Sequence, residues 1–569
     1  MSLLAKLIFS VTGSMTVNEF EKQCRHPRAA QERLLRHILE KNQNTAFGKK
    51  HGFARIKTLR TFQKRVPLCT YEDLQPYIDA ERRGRHGQLT AEKPVLFAMT
   101  SGTTGDAKYI PVTPESRKAK SELMKVWLSA FYKDHPDIFS ERVLSIVSPE
   151  VEERAPDGTP CGAESGHAYR NIPAPIRKLY ALPYEVFEIE DYESRYYTIL
   201  RLAATQSLSL IVTVNPSTLL VLCERLEQHT RLLLRDIRQG GLSSRMKVSR
   251  EIREKIKRYL TPDPARADEL QQLASQNRRK LTPKLVWPKL AALACWQGGG
   301  VAAYLDKLKP CFPENIPIRD LGYLASEHRG SVPLVDDAST GVLAIATNVY
   351  EFFPAEKERK PRRTELLTVA GVEVGKRYRV YVTTLGGLYR YDMNDIIEVA
   401  ALHEQTPVIR FVQKTKGMVS FTGEKLSEAQ VLSAVEQAFG SVKGKYEFIS
   451  AVGEMNGHGP HYAFLTEFDK SPGPSQLKAI VKALDESLSR QNSEYASKRK
   501  SLRLDAPVLR LVRRGEFDKY RKRQVSGGRP DGQFKIVHLT DDQEFAKEFA
   551  VVREVGLKSN DRQKRNRKH

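Results

Sequence analysis

Residues 95–113 read VLFAMTSGTTGDAKYIPVT, with Ser101, Gly102, Thr103, Thr104, Gly105, Asp106 and Lys108 set between two apolar, strand-like runs. Glycines let backbone N–H groups converge on an anion, hydroxyls adapt to phosphate oxygens, and a lysine adds a full charge. The spacing GxxGxxK is not that of the strand-to-helix P-loop, GxxxxGK[ST]. The YIPVT that follows is extended and contains Pro111, so the loop joins two strands as a hairpin. Its chemistry suits the β- and γ-phosphates of ATP; taken alone, it fits a solvated turn equally well.

Three further stretches bear on the same question. GYLASEHRG (322–330) places Tyr323, Ser326 and Glu327 after an apolar approach. A carboxylate there suits Mg2+ and the tyrosine ring suits adenine, against an ordinary loop before a strand. GLYRYDMNDII (387–397) alternates as a strand, so Tyr389, Tyr391, Met393 and Asp395 are expected on one face. Asp395 is then placed to accept ribose hydroxyls, or is a surface-paired aspartate. FVQKTKGMVSFTGEKLSE (411–428) joins a strand end to glycines and lysines, as a hinge or a basic turn. For a second substrate the signal is NPSTLL, a helix start directly after a buried strand. Asn215, Ser217 and Thr218 can meet a carboxylate through hydroxyls and free N–H groups, although capping alone accounts for all three. His167 is isolated, and the pair His458 and His461 has no visible third metal ligand.

The elements that must position these residues follow from hydrophobic pattern. The first ninety residues read as polar helices, with RAAQERLLRHILEKN carrying apolar residues at helical spacing. KPVLFAMT, RVLSIVSP and SLSLIVTV read as buried strands, and helices are expected from Pro114, near Tyr192 and from Pro216. Thr113-Pro114 and Asn215-Pro216 each put a capping side chain before a proline at the first helical position. Strand-then-helix repetition implies an α/β architecture with a largely buried sheet. A helical stretch is expected over about 216–309, then strands in GVLAIATNVYEFF, RYRVYVTTLGGLYRYD and TPVIRFVQK. The last third reads as a compact α+β lobe, roughly βαββαβ, opening on MVSFTG and closing on QFKIVHL. The expected domains are a large one over 1–418, a small mobile one over 419–555 and a basic disordered tail over 556–569.

The 569 residues suffice for more than one domain, and 28% charged against 40% hydrophobic describes a globular chain. No apolar run reaches the roughly 20 residues of a membrane span; MSLLAKLIFSVTG reads as an amphipathic helix rather than a signal peptide. Six scattered cysteines without a CxxC pair point to reduced thiols and a cytoplasmic setting. The net charge of +24 favours anionic partners, yet its spread along solvated faces points to no specific nucleic acid and no membrane.

Together the four stretches resemble, in order and separation, the Gretchen Hagen or auxin-responsive promoter family of acyl-acid amido synthetases, in the adenylate-forming superfamily. The chain looks like a bacterial-type member. The likeness covers roughly residues 20–540 and includes PDGTPCGAESGHAYRNIP, YEVFEIEDYESRYYTILRLA, VTVNPSTLL, QNSEYASKR and GQFK. It implies a monomeric, ATP- and Mg2+-dependent ligase. Such an enzyme adenylates a small carboxylic acid, then passes the acyl group to an amino acid amine. The alternatives are a thiol acceptor as in acyl-CoA ligases, and a non-catalytic nucleotide- or nucleic-acid-binding protein. By resemblance, Ser101, Gly102, Thr103, Thr104 and Lys108 form the phosphate loop, and Tyr323, Ser326 and Glu327 the adenine and metal motif. Asp395 matches the ribose aspartate, Phe411 and Lys414 the ribose-side hinge contacts, and Lys535 the lysine of the small lobe, where a surface lysine is the competing reading. Two positions depart from the pattern. Asn394 stands where the family has glycine, with Asp392 near enough to compete with Asp395, and the hinge carries Lys414 and Lys416.

Overall fold

The computed structural model describes residues 15–101, 107–298, 308–336, 338–357, 359–415, 418–440, 446–455, 459–468, 471–526 and 537–557. The chain forms two compact units, Met1–Thr100 with Lys108–Gln413, and Ser101–Ala107 with Lys414–His569. It is a mixed α/β fold.

At the centre of the first unit is a parallel sheet ordered Arg142–Ile146, Leu208–Thr213, Ala292–Ala294, Ile318–Arg319. Both faces are covered, and side-chain alternation divides each strand between two cores. Leu144, Ile211 and Leu293 face one, packed with Tyr197, Leu222 and Trp287. Val143, Leu210, Ala292 and Ala294 face the other, with Trp127 and Phe131. The near-continuous apolar runs in the sequence follow from this double burial. The helices Pro114–Asp134 and Pro216–Gln228 start where their caps direct. Thr113 accepts from the Ser116 N–H, and Asn215 from the Ser217 N–H.

A six-stranded sheet lies in the same unit, ordered Asn348–Pro354, Arg377–Thr384, Tyr391–His403, Thr406–Lys414, Thr340–Leu343, Ser331–Val332. The helices Pro27–Asn42, Ala46–His51 and Tyr71–Arg82 share a core with it. A buried ion pair on the sheet side ties in a further helix, Leu59–Arg65. Arg390 meets Glu351 through Nε and Nη2, each at 2.8 Å, and donates to the carbonyls of Gln63, Val66 and Arg363.

The second unit is built on a five-stranded sheet, ordered Leu539–Thr540, Tyr446–Glu454, His461–Phe468, Val508–Val512, Val551–Gly556. The helices Glu428–Phe439 and Pro474–Gln491 pair with each other.

Three expectations need correction. The span read as helical over 216–309 holds helices, but Ala292–Ala294 within it is a strand of the parallel sheet. Three residues of high helix propensity are held extended by neighbours on both sides, a tertiary effect. MVSFTG does not open the five-stranded sheet; Met418–Val419 pairs with Leu426–Ser427 in a separate ribbon. Tyr389 precedes the strand that begins at Tyr391, so the alternation starts there, and Arg390 beside it is equally buried. The helix expected at the extreme N-terminus falls on residues 1–14, and most of the tail on 558–569, both outside the described residues. No helix among the described residues is long and apolar enough to cross a membrane.

All six cysteines are free thiols; five are buried and Cys311 is half-buried. Burial pushes the Cys24 and Cys69 thiols up to about 12.

Candidate active site

The carboxyl ends of the parallel strands run into Asn215, Trp296, Gln297 and Asp320, the edge where α/β sheets bind ligands. Asp320 ties two of these ends together: its Oδ1 accepts the Gly322 N–H at 2.5 Å and its Oδ2 the Gln297 N–H at 2.6 Å. Burial pushes its carboxyl up to about 6, although these N–H groups oppose the shift.

Past Asp320 the chain makes a tight hairpin. Ala325 and His328 exchange backbone hydrogen bonds, so Ser326 and Glu327 form its tip. Gly322 sits at φ +88°, where a Cβ would meet the Ser331 carbonyl oxygen at 2.4 Å. Glycine is required there. The hairpin aims Tyr323 inward: its hydroxyl donates to Asp395 Oδ2 at 2.5 Å, and its ring stacks on Phe411 with centroids 6.1 Å apart. The indole of Trp296 is tilted against Phe411, with ring centroids 5.8 Å apart. Burial holds the Tyr323 phenol well above its ordinary range, with the Asp395 and Glu327 carboxylates adding to it.

Asp395 points to the buried face of its strand with Tyr391 and Met393. Asp392 faces the other way; its Oδ1 accepts the Asn394 N–H at 2.8 Å and its Oδ2 lies 3.8 Å from Arg379. The two aspartates therefore do not compete for one place. Asn394 itself has φ +55°, in the left-handed region that glycine adopts freely and asparagine tolerates best among the rest. A glycine at this position would meet no strain in this backbone.

Lys108 lies in the strand Ala107–Val112, beside Leu96–Ser101 in a four-stranded sheet. Its ammonium is 3.8 Å from Glu72 and 5.0 Å from the Tyr71 ring centre. Burial works against ionising Glu72, but its own N–H, Thr70 and Lys108 hold the carboxyl below its usual range. Tyr391 is buried at the start of its strand. Burial holds its phenol far above the ordinary range, and the carboxylates of Glu327 and Glu72 both raise it further. Lys108 is thus paired with Glu72, and Glu327 sits on the separate hairpin of Tyr323.

Asn215, Ser217 and Thr218 are buried at the start of the Pro216–Gln228 helix, with Asn215 Oδ1 accepting both the N–H and hydroxyl of Ser217. Ser326 is half-buried at the hairpin tip, while Lys414 ends the Thr406–Lys414 strand and belongs to the second unit. Gly102, Thr103, Thr104, Lys416, His458 and Lys535 lie outside the described residues, as does the side chain of Ser101. His461 is buried, with Nδ1 on the Gly459 carbonyl at 2.9 Å.

His167 is not isolated. Its Nδ1 meets Glu150 at 2.7 Å and its Nε2 meets Arg117 at 2.9 Å, while Arg170 holds the other Glu150 oxygen at 3.0 Å. The partners are 17 and 50 positions away in sequence, beyond any local pattern. Glu72, Trp296 and Arg329 were missed as well. Arg329 follows Glu327 closely enough to have been noticed; it is fully buried near Glu164 and Asp320, and burial draws its guanidinium down to about 10.

The chain matches the GH3 family N-terminal domain over residues 16–318, the GH3 family central domain over 341–414 and the GH3 family C-terminal domain over 429–544. Indole-3-acetic acid-amido synthetase GH3.3 of Arabidopsis thaliana is 25% identical over 539 residues, covering 91% of this chain and 90% of that protein. Jasmonoyl–L-amino acid synthetase JAR6 of Nicotiana attenuata is 27% identical over 546 residues, covering 91% and 92%. Among solved structures, a GH3.15 acyl acid amido synthetase superposes with a TM-score of 0.65 at 21% identity, covering 95% of this chain and 97% of that one, a likeness of fold. With its N-terminal, central and C-terminal parts each matched in order, the chain belongs to the GH3 family.

Proposed function

We propose that the chain is an ATP-dependent carbon–nitrogen ligase that converts a small carboxylic acid to its acyl-adenylate and then passes the acyl group to an amino acid amine. The observation that carries this reading is the hydrogen bond from Tyr323 to Asp395, with the Phe411 ring stacked on Tyr323, in a chain of the GH3 family. A carboxylate is a poor electrophile, and adenylation gives it a good leaving group. The reaction gathers several negative charges, so a lysine and loop N–H groups aimed at the phosphates lower its barrier.

In this reading Ser101, Gly102, Thr103, Thr104 and Lys108 hold the triphosphate, Tyr323, Ser326 and Phe411 the adenine side, and Asp395 the ribose, with Lys414 on the ribose side. The buried start of the Pro216–Gln228 helix, with Asn215, Ser217 and Thr218, receives the acid. Lys535 acts on the adenylate from the C-terminal part. The ATP and acyl sites fall within 1–418, and 419–555 forms the mobile part. The enzyme is monomeric and cytoplasmic.

The donor set also fits Mg2+. No cluster of three or more His, Cys, Asp or Glu side chains able to hold a metal occurs among the described residues. Mg2+ is commonly held by one or two carboxylates together with substrate phosphates, and Glu327 supplies such a carboxylate. When bound, the cation offsets phosphate charge.

The test is acid-dependent exchange of labelled pyrophosphate into ATP, followed by AMP release with amino acid or coenzyme A as acceptor. Exchange with amino-acid-dependent AMP release is expected. Release that depends on coenzyme A would reassign the acceptor, and absence of exchange with any of a panel of aryl and alkyl acids would overturn the reading.

A further inference from the structure

We propose that the face formed by the N-terminal helices carries a separate binding site for a small phosphorylated anion. A cavity of about 570 Å³ opens there, within the size range of small-molecule sites. Gln43, Lys49, Lys50, His51, Arg55 and Arg65 line it, and no aspartate or glutamate does. Lys50 donates to the Tyr77 hydroxyl at 3.2 Å, a neutral partner, and its ammonium lies 5.8 Å from that ring. Among the described residues, Lys49, Lys50, Arg55 and Arg65 make no ion pair. Elsewhere on these helices the chain does supply acids: Lys41 meets both Glu92 and Glu115 at 2.8 Å.

The backbone builds the cavity. The Ala46–His51 helix ends at Gly52 in the left-handed region, φ +66°, and the chain folds back through Phe53–Arg55. A Cβ on Gly52 would stand 3.1 Å from Arg65 Nη1, so the glycine leaves room for that guanidinium. Burial lowers the His51 imidazole, and the nearby charges of Lys50 and Arg363 lower it further, as a positive field requires. Two arginine forks and two lysine point charges around one opening match phosphate oxygens, which accept several charge-assisted hydrogen bonds at once. A monoanionic carboxylate engages too few of these cations to offset their mutual repulsion.

Calorimetric titration with inorganic tripolyphosphate tests this, using the full chain, Lys49→Gln/Arg65→Gln and, as a milder variant, Arg55→Gln. Lys108→Ala identifies any tripolyphosphate held at the candidate active site. Binding at the helix face should weaken at least tenfold in the double variant, weaken measurably in Arg55→Gln, and survive in Lys108→Ala. Unchanged isotherms in both cavity variants would overturn the site. Citrate binding as tightly as tripolyphosphate would overturn the phosphate assignment. Because the Lys108→Ala arm keeps the cavity intact, the result stands whether or not the ligase reading does.

Discussion

Arg390 and Asp395 stand one short step apart on the same segment, both almost completely buried, yet their surroundings differ in kind. Arg390, at φ +45°, is matched to a carboxylate and three carbonyls contributed by distant parts of the first unit. Its charge is spent on holding the Leu59–Arg65 helix and the Arg363 loop to a sheet. Asp395 shares its space with a phenol and with a second carboxylate, Glu327, close enough to raise that same phenol. One charge is buried against its own counter-charge, while the other is hydrogen-bonded to a phenol that the Glu327 carboxylate also raises. A structural charge is recognised by complete compensation within the fold, and a functional one by an arrangement that makes sense with a cationic or hydroxylated ligand.

The largest expected effect is at the Arg390 pair. Glu351→Gln leaves Arg390 buried without its counter-charge and should cost about 3–5 kcal/mol in denaturant unfolding. A loss below about 1 kcal/mol would mean the pair is not what joins the Leu59–Arg65 helix to the sheet. At the candidate active site, Lys108→Ala should slow acid-dependent pyrophosphate exchange by roughly 10²–10³-fold while changing stability by no more than about 0.5 kcal/mol. Wild-type-like exchange would remove Lys108 from the chemistry.

Asp320 offers a test through pH. Its carboxyl is raised from 3.8 to about 6 in the folded chain, so the native state binds the extra proton between these values. Stability should therefore fall as pH rises through that window, by roughly 2–3 kcal/mol, and stay down above it. Asp320→Asn should flatten this part of the profile, and an unaltered slope would assign it to other groups. The smallest effect belongs to Asn394. Replacement by glycine should leave stability within about 0.5 kcal/mol and exchange intact, whereas valine, at φ +55°, should lose about 1–2 kcal/mol. Equal tolerance of both substitutions would show that the left-handed turn does not position Asp395.

What could be read beforehand depended on how local the physics was. The helix starts at Pro114 and Pro216 were legible because cap and proline lie next to the helix they begin. The apolar strands of the parallel sheet were legible because burial on both faces leaves continuous runs. Ala292–Ala294 was not, since only its neighbours make it a strand. In the site, Tyr323, Glu327 and Asp395 stood out by residue type and motif. Glu72 and the Glu150–His167–Arg117 set did not, because their partners come from remote positions. Asn394 looked like a departure until the backbone angle gave it a reason.

The distribution of the thiols has a practical consequence. The hydrogen bond between Cys223 and the half-buried Cys311 holds the Cys311 sulfur below its usual range and the Cys223 thiol above it, while burial raises the thiols of Cys24, Cys69, Cys161 and Cys295. A maleimide dye added near neutral pH is expected to attach first at Cys311, beside Cys223 of the Pro216–Gln228 helix, giving an optical reporter of that helix without a single engineered residue.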